Sequence, residues 1–156
     1  MSHKDDELVI VLCGEAGQGI KTVEISLTRI LKFAGYNVFA TKEYMSRIRG
    51  GANSTEIRVS SRRVNAFVNR IDLLLALNKG AAARLRERIS EETTVLGEKD
   101  NIEDLTDLPC KTHDIPFTDI AKDIGGAIYS NTVATGVITG ILNVQPAVIH
   151  DYLRVH

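Results

Sequence analysis

Residues Leu8–Thr41 read LVIVLCGEAGQGIKTVEISLTRILKFAGYNVFAT, and this stretch decides the fold. Leu8–Gly14 is an unbroken apolar run closed by glycine, the pattern of a strand buried on both faces. From Gln18 to Ala34, Ile20, Val23, Leu27, Ile30, Leu31 and Ala34 recur at helical spacing, and Gly35 supplies the stop. Asn37–Thr41 is a second short strand. Strand, glycine turn, helix, glycine and strand make a βαβ unit, whose two strands are expected to run parallel.

Outward from this unit, KEYMSRIRGGANS is a basic, glycine-rich loop, and Thr55–Ser60 alternates Ile57 and Val59 with Glu56, Arg58 and Ser60, as a half-exposed strand does. Ile71–Leu77 is a further buried strand. A helix is expected from about Ala81 to Ile89, with Leu85 and Ile89 inward and Arg84, Arg86 and Arg88 in solvent. Thr93–Gly97 is another short strand, the acidic EKDNIEDLTDLP a surface excursion, and CKTHDIPF an edge strand before a short helix near Thr118. Tyr129–Leu142 is apolar nearly all round, with Gly136 and Gly140 one turn apart, and reads as a core or interface helix. Pro146 can open a last helix. The expected fold is α/β: a single domain with a mostly parallel sheet flanked by helices on both faces.

At 156 residues the chain suits one domain rather than two. A net charge of −1 and an aromatic share of 5% without Trp argue against a nucleic-acid partner, which would need a basic track or exposed rings. The longest greasy run, Thr132–Val144, is too short to span a bilayer, so no membrane role is expected. MSHKDDE is too acidic for a signal peptide, and the isolated Cys13 and Cys110 fit a reducing, cytoplasmic compartment. Without a C-x-x-C pair or histidines at ligand spacing, neither an iron–sulfur cluster nor a zinc site is expected in this chain. No acid–base pair or nucleophile context suggests a catalytic residue either.

Charge is unevenly spread. From Lys42 to Arg63, six basic side chains face two acidic ones; from Glu91 to Asp123, ten acidic face three basic. A local basic loop in a neutral chain points to a discrete anion. The turn GEAGQGIKT, Gly14–Thr22, joins the first strand to the first helix, where unpaired N–H groups and the positive dipole end attract anions. It is no Walker A loop, because Ile20 separates Gly19 from Lys21. A dinucleotide fingerprint from Gly17 would need Gly or Ala where Thr22 stands, and Glu43 is the nearest acid for a ribose. The second cluster is Arg47, Arg49, Gly50, Gly51, Asn53 and Ser54, rigid guanidinium donors beside flexible backbone. Both segments leave the carboxyl ends of their strands, so they are expected to share one sheet edge. The plain alternatives are a simple connecting turn and a solvated surface loop.

LCGEAGQGIKT followed by EYMSRIRGGANSTEIRVS resembles the γ subunit family of 2-oxoacid:acceptor oxidoreductases, and DLLLALNKGAA and NTVATGVITGIL are similar to that family's later landmarks, in the same order. The resemblance covers nearly the whole chain, 1–156, as one γ-type domain, truncated or continued at its C-terminus. It implies a module of a 2-oxoacid:ferredoxin oxidoreductase, which decarboxylates a 2-oxoacid oxidatively and makes an acyl-CoA. It further implies that thiamine diphosphate and the iron–sulfur clusters sit in partner subunits, namely α, β and in some assemblies δ, with ferredoxin as acceptor of the complex. Coenzyme A is the implied ligand on this side, with Gly17, Gln18 and Gly19 forming the turn and Arg47, Arg49, Asn53 and Ser54 the adjacent loop. SRIRGG, with Ile48 between the arginines, is closer to fused γ–α chains such as those for 2-oxoglutarate than to the ESRGG of many pyruvate-type γ subunits. In isolation a homodimer is expected. Two readings stay open beside this one: a stand-alone nucleotide-binding domain, and a purely structural assembly subunit.

Overall fold

The computed structural model describes residues 7–15, 17, 19–43 and 52–155. Six strands form one sheet in the order β2-β3-β1-β4-β5-β6. They are β1 Glu7–Glu15, β2 Asn37–Glu43, β3 Ala52–Ser60, β4 Leu73–Ala76, β5 Thr94–Gly97 and β6 Lys111–Asp114. β1, β4, β5 and β6 are parallel neighbours. β3 runs antiparallel to both β1 and β2 and lies between them. β2 therefore points the same way as β1, as the βαβ reading required, but does not touch it. β3 is consequently an interior strand, not a half-exposed one: Glu56 and Ser60 are buried along with Ile57 and Val59.

Helices cover both faces. α1, Ile20–Phe33, buries Ile20, Val23, Leu27, Ile30 and Leu31 against the sheet, the stripe its spacing predicted. Its C-terminus is closed by Ala34 and by Gly35 at φ +91°, and the Tyr36 N–H donates to Leu31 C=O at 3.0 Å. α4, Ser130–Ile141, and α5, Pro146–Val155, pack on the same side, so that Leu12, Leu27, Ile138 and Tyr152 share one apolar cluster. α3, Phe117–Ile124, adds Phe117 to it. The opposite cluster joins Val9, Val11 and Cys13 of β1 to Leu85, Ile102 and Leu105. Ile102 belongs to the four-residue α2, Lys99–Ile102, so the acidic stretch is tethered to the core rather than being a surface excursion.

Two expectations on these faces change. Residues 83–88 form a 3₁₀ turn, not an α-helix. Its arginines are not simply solvated: Arg84 Nη2 donates to Ser54 Oγ at 3.1 Å and Arg88 Nη2 to Glu56 Oε2 at 2.6 Å. The buried polar row of β3 is what draws them in, because a carboxylate cannot be buried without a partner. Gly136 and Gly140 of α4 border open space, so no other element of the described chain exploits their small size. No helix among the described residues is long and apolar enough to cross a membrane.

Candidate functional site

The ends of β1 and β2 define the site. Glu15 of β1 pairs with Ala52, and Glu43 of β2 pairs with Ser54. The segment between Glu43 and Ala52 thus leaves and re-enters the sheet at the edge where the glycine turn follows β1. Arg47, Arg49 and Gln18 lie outside the described residues. Gly17, Gly19, Asn53 and Ser54 are described, and all four line a single cavity of about 520 Å³.

Gly19 is the hinge of this cavity. It is the residue before α1 and holds φ +84°, a left-handed conformation that suits glycine. Its C=O accepts the N–H of Thr22 at 2.9 Å and of Val23 at 3.0 Å, which starts the helix. The N–H groups of Ile20 and Lys21 have no such acceptor within the helix and stand at its positive end. A Cβ at position 19 would come 1.9 Å from Asn131 Nδ2, so glycine is also required for α4 to approach.

Alternation along β3 separates the predicted pair Asn53 and Ser54. Asn53 faces α1, opposite Gly14, with Thr55 and Ile57 on the same side. Ser54 points to the other face, where its hydroxyl accepts from Arg84 and lies 3.5 Å from Glu43 Oε2. Arg84 Nη2 also lies 3.5 Å from Glu43 Oε2. Only the backbone of Ser54 is on the side of the glycine turn. The same alternation directs Glu43 towards Arg84.

Beyond the residues singled out from the sequence, Lys21, Thr22, Glu24 and Lys42 also line the cavity. Lys21 and Thr22 close the quoted turn Gly14–Thr22, whereas Glu24 and Lys42 belong to no motif in it. Lys42 Nζ is 2.9 Å from Glu24 Oε2, a carboxylate only 11% exposed. Among the described lining, Lys21 and Lys42 are thus offset by Glu15 and Glu24.

Neither thiol is poised for chemistry. Burial pushes the Cys13 thiol up to about 12, and its Sγ lies 3.4 Å from Leu75 C=O as a donor. Burial also raises Cys110. Among the described residues no group of His, Cys, Asp and Glu could hold a metal ion.

Residues 9–156 match the family model described as pyruvate ferredoxin/flavodoxin oxidoreductase. The chain is 28% identical over 142 residues to the 2-oxoglutarate synthase subunit KorC of Archaeoglobus fulgidus, covering 90% of this chain and 73% of that one. Its fold is similar to that of the 2-oxoglutarate:ferredoxin oxidoreductase from Magnetococcus marinus, a structure with 2-oxoglutarate, coenzyme A and succinyl-CoA bound, at a TM-score of 0.78 and 21% identity. That match covers 95% of this chain and 26% of the longer one. A keto/oxoacid ferredoxin oxidoreductase γ subunit from Geobacter sulfurreducens is similar at a TM-score of 0.76 and 23% identity, over 94% of this chain and 84% of that one.

Proposed function

Because the chain belongs to the pyruvate ferredoxin/flavodoxin oxidoreductase family, we propose that it is the γ module of a 2-oxoacid:ferredoxin oxidoreductase and receives the phosphates of coenzyme A. One observation carries this reading. Gly17, Gly19 and Lys21 from the α1 start and Asn53 from β3 surround one cavity, at the edge where β2 ends at Glu43 and β3 begins at Ala52, the residues that flank the stretch containing Arg47 and Arg49. Backbone N–H groups of Ile20 and Lys21 would donate to a phosphate at the positive helix end, and the two guanidinium groups would neutralise its remaining charge. Coenzyme A supplies the thiol that takes up the acyl group. The residues of this chain bind and orient it, and none is assigned as base or nucleophile. Thiamine diphosphate and the clusters belong, in this proposal, to α and β partners in a cytoplasmic complex.

The test is the double variant Arg47→Ala, Arg49→Ala in the assembled enzyme. Charge-assisted hydrogen bonds contribute about 1.5–3 kcal/mol each, so losing one from each arginine should raise KM for coenzyme A by about a hundredfold or more. KM for the 2-oxoacid should stay as it is. An unchanged KM for coenzyme A overturns the proposal. A double variant that fails to assemble also overturns it and makes the loop a structural contact.

A further inference from the structure

A second cavity, of about 510 Å³, opens on the other side of Gly17, which lines both. It sits above the carboxyl ends of β1 and β4. The chain leaves β1 towards β2 on one side and β4 towards β5 on the other, so this is where the sheet reverses its winding, and such crevices hold ligands in open α/β sheets.

Its chemistry differs from that of its neighbour. No lysine or arginine is among its described lining residues, and its single charged group is Glu98, whose carboxylate accepts the Thr118 N–H at 2.6 Å. Beside the Thr118 and Ser130 hydroxyls, its neutral polar side chains are carboxamides from three separate elements: Asn78 after β4, Asn101 in α2 and Asn131 in α4. Asn78 is held in place, accepting the Glu15 N–H at 3.0 Å and donating to Lys79 C=O at 3.3 Å. The side-chain amides of Asn101 and Asn131 have no partner among the described residues, and each offers a donor and an acceptor. Asn131 lies directly against Gly19, so it stands at the boundary between the two cavities. The aromatic side chain in the lining, Phe117, is only 4% exposed and presents no free face on which a base could stack.

We infer that this cavity holds the neutral, amide-bearing pantetheine arm of coenzyme A, with Asn101 and Asn131 pairing its amide groups while the phosphates lie across Gly17. The inference rests on the proposed function above and adds a subsite to it. The phosphate cavity selects for charge, and the carboxamide cavity selects for an uncharged chain of alternating donors and acceptors.

The test compares Asn101→Leu, Asn131→Leu with the parent in the assembled enzyme, using coenzyme A as substrate and 3′,5′-ADP, which lacks the arm, as inhibitor. Leucine keeps the branched shape of asparagine and removes its hydrogen bonds. The expected result is a rise of about tenfold or more in KM for coenzyme A, from two lost hydrogen bonds, with inhibition by 3′,5′-ADP unchanged. The unchanged inhibition also reports an intact fold. Should the double variant not assemble, Asn101→Ala alone is read the same way, with an expected rise of several-fold. A KM equal to the parent's overturns the subsite and leaves the phosphate site standing. Equal losses for both compounds show the base in this cavity and also overturn it. A parent enzyme indifferent to both compounds sinks the coenzyme A reading itself.

Discussion

Gly19 carries two demands at once, a backbone at φ +84° and room for the Asn131 amide. Gly19→Ala should therefore destabilise the chain by about 1–3 kcal/mol, read as a lower urea midpoint, because the added Cβ is strained by its backbone and must push Asn131 aside. A midpoint equal to the parent's would show that α4 yields without cost. That glycine belongs here was legible in the spacing of Gly14, Gly17 and Gly19 before a helical stripe. The reason for it at position 19 was not, since Asn131 is over a hundred residues away and no local pattern couples the two. Ser54 shows the opposite failure: its sequence neighbourhood placed it with Asn53, and strand alternation sends its hydroxyl to the other face.

Among the elements, β1 and α1 were readable because their burial patterns are internal to each segment. β3 was not. Its row of Ser54, Glu56 and Arg58 looks solvent-facing in isolation, yet Arg84 and Arg88 from the 83–88 turn and Glu7 from β1 meet it. Arg88 also lies 5.1 Å from the centre of the Phe67 ring. Burial pushes the Glu56 carboxyl above its ordinary value of 4.5, against the hydrogen bond from Arg88 that lowers it. A carboxyl raised on folding contributes its stability below 4.5 and loses it as pH rises through the folded value. Arg88→Met removes the opposing hydrogen bond, so it should cost about 3 kcal/mol at pH 7 and recover part of that loss as pH falls towards 5. Thermal melts across that range check it, and a loss independent of pH would refute the assignment. In α4, Gly136→Ala has open space for its Cβ and removes backbone freedom from a helix interior. It should stabilise the isolated chain by about 0.5–1 kcal/mol in chemical denaturation.

At the scale of the molecule, the sheet gathers two unlike cavities at one end, with Gly17 between them. The common end was legible because β1 and β2 point the same way, whichever strand separates them. The carboxamide cavity was not, because its three asparagines come from after β4, from α2 and from α4 and share no motif. Glu15 and Glu24 offset the lysines of the cavity beside α1, which leaves the proposed phosphate attraction to the arginines; coenzyme A binding should then weaken as ionic strength rises, with the slope reduced in Arg47→Ala, Arg49→Ala. Titration at two or three salt concentrations reads this directly. The most direct measurement is a crystal structure of the assembled enzyme with coenzyme A bound. The account predicts phosphate oxygens within hydrogen-bonding distance of the Ile20 and Lys21 backbone N–H groups. Coenzyme A held wholly by other subunits, with its phosphates away from the α1 start, would contradict it.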